Sequence, residues 1–218
     1  MMGTEFIDSL DLMIFDLDGT LIDSYSQIET AMNIARKTLG YSESPIGQIF
    51  ENLGLPVNDL FSDLTISSMR QEELIAEFRM RLYESINLEN KCFPHVELLL
   101  NKIRKSGIKV AIATGKSTIM ASKVIENSAL YGSIDFIQGT DGFLPKPNPE
   151  VIDRCLKEFP GLRAVMIGDR REDMIAANKA GIPSIGIAQS AHSEATLRSG
   201  GGVLTFKNVS GLYEWITH

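Results

Sequence analysis

The 218 residues are 44% hydrophobic and 22% charged, which is enough apolar material for one large domain or a core with a modest second unit, and argues against disorder. Acidic side chains outnumber basic ones, 28 to 21, for a net charge of −7 without a basic cluster. That balance excludes nucleic acid and anionic membranes as expected partners, although a local site could still take a small anion.

Met1 to Leu10 carries Glu5 and Asp8 and no basic run, so it does not read as a signal peptide, and no apolar run is long enough to span a bilayer. Asp11 to Phe15 reads as a strand. From Ile22 to Phe93 no convincing strand follows. Instead Ile28, Ala31, Met32, Ala35 and Leu39 recur at helical spacing, as do Leu74, Phe78, Leu82 and Ile86 behind a Ser68-x-x-Gln71 capping box. A second helical stripe, Val96, Leu99, Leu100 and Ile103, ends at Gly107. Lys109 to Ala113, Phe136 to Gln138, Ala164 to Ile167 and Ser184 to Ala188 then read as further strands. Several carry consecutive apolar residues, as strands buried on both faces do. Between them, Asn148-Pro149-Glu150 reads as an N-cap with a first-turn proline, followed by Val151, Ile152, Cys155, Leu156 and Phe159 on one face. Another helix, with Met174, Ala177 and Ala180, stops at Gly181. The alternation predicts an α/β fold, a doubly wound parallel sheet, interrupted by an inserted helical unit. The expected division is 1–21 and 94–218 for the core and 22–93 for the insertion. Cys92 and Cys155 lack metal-ligand spacing, and a reduced, cytoplasmic setting is the simpler expectation.

Four features carry chemistry. Phe15-Asp16-Leu17-Asp18-Gly19-Thr20 closes the first strand. Two carboxylates so close repel by roughly 4 kcal/mol at about 4 Å and an effective dielectric near 20, so such a pair calls for a cation or a shared proton. The plain alternative is an Asp-Gly turn with exposed acids. Ala113-Thr114-Gly115-Lys116-Ser117 offers a hydroxyl and free N–H groups before a helix, a phosphate cradle or an ordinary turn. In Leu144-Pro145-Lys146-Pro147-Asn148-Pro149, prolines stiffen the chain around one lysine, which is a fixed point charge or a solvated side chain. Ile167-Gly168-Asp169-Arg170-Arg171-Glu172-Asp173 places two acids one helical turn apart, for a site or for the helix dipole. Open α/β sheets collect ligands at the carboxyl ends of strands, where one crevice can hold all four.

Taken together, these motifs resemble the haloacid dehalogenase superfamily, and within it phosphoglycolate phosphatase-like members with a helical cap after the first motif. The resemblance runs from about Leu12 to Trp215 and is carried by Phe15-Asp-Leu-Asp-Gly-Thr-Leu and Gly168-Asp-x-x-x-Asp173. It implies a Mg²⁺-dependent phosphatase acting on a small phosphorylated metabolite, with Asp16 as nucleophile and Asp18 as general acid and base. Mg²⁺ would be held by Asp16, the Asp18 carbonyl and Asp169, with Asp173 behind the metal. Thr114, Gly115 and Lys146 would bind the phosphate. The acid at Asp18 argues against dehalogenation. Lys37 and Lys91, the only lysines of the insertion, sit in no motif for Schiff-base phosphonate cleavage. A phosphosugar mutase, and a non-catalytic binding or regulatory protein on the same scaffold, remain alternatives, and the chain is expected to be a monomer or homodimer. The insertion is expected to choose the substrate, through the uncharged turn around Leu55 and through Arg79, Arg70 or Arg81. His95 stands where such relatives often have Gly and is expected to serve the hinge. His192, Arg170 and Arg171 are expected at the surface.

Overall fold

A computed structural model describes residues 6, 9–43, 68–86, 90–189 and 192–217. They form two compact units, one of Met1–Asp23 with Asn90–His218 and one of Ser24–Glu89.

The larger unit is built on six parallel strands: β1 (Leu12–Phe15), β2 (Lys109–Ala113), β3 (Phe136–Gln138), β4 (Ala164–Gly168), β5 (Ser184–Ile187) and β6 (Leu204–Phe206), in the order β3-β2-β1-β4-β5-β6. β1 is central. Phe15 lies beside Ile112 of β2 on one side and Ile167 of β4 on the other. All four β1 residues are buried, which explains a strand of unbroken Leu-Met-Ile-Phe. Alternation sends Leu12 and Ile14 to one face, where they meet Val151, Ile152 and Cys155 of helix α5 (Glu150–Glu158) and Ala176 and Ala177 of α6 (Arg171–Lys179). Helix α3 (Val96–Lys105) packs on β2 and on the last helix, α8 (Val209–Thr217). Both cysteines are free thiols, Cys155 in the core and Cys92 half-buried.

The smaller unit contains α1 (Tyr25–Thr38) and α2 (Ser68–Ile86). The spacing read from sequence is what they bury: Ile28, Ala31, Met32 and Ala35 pack on Leu74, Ile75 and Phe78, with Leu39 and Leu82 at the margin.

Some expectations need amending. Pro149, not Asn148, occupies the N-cap of α5. The Asn148 carboxamide oxygen still accepts from Glu150 N at 2.9 Å, so the capping interaction starts one residue earlier than the usual position. Strand β6 and helices α7 (Glu194–Ser199) and α8 were not anticipated. A three-residue, half-buried edge strand after Gly200-Gly201-Gly202 shows no period to read.

Candidate active site

Sheet order changes direction at β1: the chain proceeds to β2 on one side and to β4 on the other. Beyond the carboxyl ends of these three strands lie Asp16, Thr114 and Asp169, each the residue that follows its strand. Asp16 N donates to Ile167 O at 2.8 Å, anchoring the end of β1 to β4. The chain then closes a tight turn in which Leu21 N and Ile22 N both reach Leu17 O and Gly19 takes a φ of 81°.

The site assembles around Lys146, which is 8% exposed. Its Nζ donates to Asp16 Oδ1 at 2.7 Å and Ala113 O at 2.9 Å, and meets Asp173 Oδ1 at 2.5 Å. All three ammonium hydrogens therefore have acceptors. The other Asp173 oxygen, Oδ2, accepts from Arg170 N at 3.0 Å, capping α6. Thr20 Oγ1 donates to Asp169 Oδ1 at 3.0 Å. Gly168 makes this closeness possible, because a Cβ there would overlap the Asp173 carboxylate.

Three buried carboxylates, Asp16, Asp169 and Asp173, bring ligand oxygens within 4.8 Å of one another. A set made only of carboxylate oxygens suits a hard divalent cation. Burial pushes the Asp16 carboxyl up to about 8; Lys146 opposes the rise, and Asp173 and Asp169 add to it. Burial alone would lower the Lys146 ammonium, but attraction to Asp16 and Asp173 outweighs it and the net shift is upward. Lys146 therefore stays charged, and one lysine does not offset three crowded carboxylates.

Opposite this cluster stands the Thr114 turn. Thr114 is buried, and its hydroxyl oxygen accepts from Lys116 N at 3.3 Å. Over Gly115 the space is open: a Cβ would meet no atom within 4 Å. Ser117 caps helix α4 (Thr118–Glu126) by accepting from Met120 N at 3.4 Å.

Asp16, Asp18, Thr114, Gly115, Lys146, Asp169 and Asp173 thus all lie in the larger unit, the first six in the loops that follow β1, β2, β3 and β4 and Asp173 in the first turn of α6. Leu55 lies outside the described residues. Arg79 is exposed on α2, as is Arg70, whereas Arg81 is paired with Glu77 at 2.7 Å and Glu84 at 3.1 Å.

Arg170 and His192, expected at the surface, and His95, expected at the hinge, have more definite places. Arg170 is 7% exposed, with its Nε 3.6 Å from Glu172 Oε2. His192 is half-buried, and its Nδ1 accepts from Arg171 N at 3.0 Å; burial lowers its pKa from the ordinary histidine value. His95 adopts a φ of 67°, stacks on Tyr213 and lies 2.6 Å from Ser210 Oγ through Nδ1. A left-handed backbone there is one that glycine adopts without strain and histidine only rarely.

Two contributors were not singled out from the sequence. Lys116 Nζ meets Asp18 Oδ2 at 2.5 Å. Gln189 donates through Nε2 to Gly19 O at 3.1 Å and Thr20 O at 2.9 Å, and accepts from Val209 N at 3.1 Å through Oε1, so it fastens the turn after Asp16 to α8. Gln189 stands in no motif, Lys116 lies in the Thr114 turn without a role assigned to it, and both contacts depend on which strands become neighbours.

Comparison with known proteins agrees with this architecture. Residues 13–187 match the family described as haloacid dehalogenase-like hydrolase. A phosphoglycolate phosphatase of Aquifex aeolicus is 30% identical over 78% of this chain and 81% of its own. A 5'-nucleotidase of Pseudomonas aeruginosa is 28% identical over 86% of each. Among solved structures, a haloacid dehalogenase-like family hydrolase from Streptococcus pneumoniae superposes with a TM-score of 0.85 at 27% identity, over 95% of this chain and 99% of that one. Matched over most of its length and similar to phosphatases within the group, the chain is an enzyme of the haloacid dehalogenase-like hydrolase family.

Proposed function

We propose that this enzyme is a Mg²⁺-dependent phosphatase that hydrolyses a small phosphate monoester through an aspartyl-phosphate on Asp16. The observation that carries the proposal is the buried trio Asp16, Asp169 and Asp173 around Lys146, at the point where the sheet changes direction. The printed names of similar proteins, phosphoglycolate phosphatase and 5'-nucleotidase, support the substrate class.

Asp16 attacks phosphorus, so a carboxylate O–P bond forms as the P–O bond to the leaving alcohol breaks. Asp18 gives its proton to the leaving oxygen. It then takes one from the water that attacks the aspartyl-phosphate, releasing inorganic phosphate and restoring Asp16. Lys146 orients Asp16 and, with the Thr114 hydroxyl and the open backbone at Gly115, cradles phosphoryl oxygens. Asp16, the Asp18 carbonyl and Asp169 would hold Mg²⁺, with Asp173 supporting the site through Lys146 and the α6 N-terminus. When bound, the ion supplies positive charge that offsets repulsion between these carboxylates and an incoming phosphate dianion.

The smaller unit is proposed to select what hangs from the phosphate, and the cytoplasm is the proposed setting. Among the described residues no helix is long and apolar enough to cross a membrane.

Release of inorganic phosphate from a panel of phosphorylated metabolites, with Mg²⁺ and with excess chelator, tests the function. Turnover that survives chelation would refute the metal requirement. Isomerised sugar phosphate without free phosphate would identify a mutase instead.

A further inference from the structure

The phosphatase chemistry needs Asp18 to deliver a proton to an oxygen that moves away as the ester breaks. Proton transfer requires that one carboxyl oxygen stay within hydrogen-bond reach of that oxygen. An aspartate on a turn can rotate about two side-chain torsions, so something must hold it.

Lys116 is placed to do this. Its Nζ takes Asp18 Oδ2 at 2.5 Å, while Oδ1 is buried and has no hydrogen-bond partner. The pair is largely sheltered: the side chains are 10% and 22% exposed. The lysine backbone is itself held on both sides, since Lys116 N donates to Thr114 Oγ1 at 3.3 Å and Lys116 O accepts from Thr140 N at 2.8 Å. Gly139 lies against Lys116 O and Thr118 N so closely that any Cβ would overlap them. The stem that carries the ammonium therefore starts from a fixed point next to the phosphate turn, and the contact spans the adjacent strands β1 and β2.

We propose that Lys116 is a positioning residue for proton transfer: by occupying one oxygen of Asp18, it fixes the carboxyl plane and presents the other oxygen to the leaving group. The proposal rests on the phosphatase reading above, in which Asp18 is the acid. Lys116 thereby differs from Lys146, which serves Asp16 and the phosphate. It acts only through Asp18, and its importance should scale with how much the leaving group needs a proton.

The test uses the full-length enzyme with Mg²⁺ and two aryl esters, p-nitrophenyl phosphate, whose leaving group departs readily, and phenyl phosphate, whose leaving group needs protonation. Lys116→Met, checked for an unchanged circular dichroism spectrum, should lower kcat on phenyl phosphate about tenfold more than on p-nitrophenyl phosphate, a fraction of the loss expected when the acid itself is removed. KM should change little for either ester. In an Asp18→Asn background the same substitution should cost less than about twofold, because a residue that works through Asp18 has nothing left to position. If Lys116→Met does not fold, Lys116→Gln is measured in its place and read the same way. Equal losses on both esters, a rise in KM alone, or a full additional loss in the Asp18→Asn background would overturn the proposal. Wild-type enzyme inactive on both esters and on the metabolite panel would instead remove the phosphatase reading on which it depends.

Discussion

At the scale of single residues, the site is a set of charges that burial makes costly and proximity makes useful. Asp16 shares Lys146 with Asp173 and feels Asp169 nearby, so the enzyme carries an electrostatic burden that chemistry can exploit. Asp16→Asn should bring turnover below about a thousandth of wild type. The same variant should melt no lower than wild type in chelator at a pH above the Asp16 value of about 8, where the substitution removes one of the crowded negative charges while Asp173 still pairs with Lys146. A lower melting temperature would show that the Asp16–Lys146 ion pair stabilises the fold more than carboxylate crowding strains it. Asp18→Asn should lose about 10²- to 10⁴-fold, the usual worth of general acid-base catalysis, with a smaller loss on esters that have better leaving groups. The aspartates and Lys146 were legible in the sequence because each stands in a motif at a strand end. Lys116 was not, since a lysine after a glycine in a turn looks the same whether solvated or, as here, locked to Asp18. Arg170 was misjudged for a similar reason: sequence shows its charge but not the burial imposed by the packing of its loop.

At the scale of elements, the strand ends are built to bring side chains unusually near the backbone. Gly168→Ala would drive a methyl group into the Asp173 carboxylate. It should cost about 1–3 kcal/mol, the range for overpacking, or roughly 2–4 °C of melting temperature per kcal/mol. Activity should fall by more than that destabilisation explains, because Asp173 moves away from Lys146, and kinetics on the folded fraction would reveal it. Gly139→Ala meets main-chain atoms of Lys116 and Thr118 rather than a side chain, so relief is harder and the melting temperature should drop further. Finding Gly168→Ala the less stable of the two would contradict this ranking. The four inner strands were legible because apolar runs of four or five residues between turn signals have few other interpretations. One end of β1, β4 and β5 shifted by a residue, and β6, with only three residues at the sheet edge, left no pattern to detect. Helices α1 and α2 were legible because the residues at helical spacing are those that pack together.

At the scale of the whole molecule, metal, protons and stability are linked through one site. With its pKa raised from the ordinary carboxylate range to about 8, Asp16 keeps a proton in the folded enzyme that the unfolded chain has already released. By that linkage its contribution to stability declines as pH rises through this window. A divalent ion that binds ionised Asp16 would displace the proton. The gain in melting temperature on adding Mg²⁺ should therefore be larger near about pH 8 than near about pH 5.5, readable by thermal shift. An equal gain at both would separate metal binding from Asp16 ionisation. The order of pairing in the sheet has another consequence, for synthesis of the protein on the ribosome. Leu12 must find both Lys109 and Ala164, far downstream along the chain. The Leu-Met-Ile-Phe strand that leads to Asp16 is thus made before either of its neighbours, and both are complete only after β4 has emerged. Until then four residues that the finished enzyme hides completely remain exposed on the nascent chain, a natural target for chaperones and the segment through which a stalled chain would aggregate.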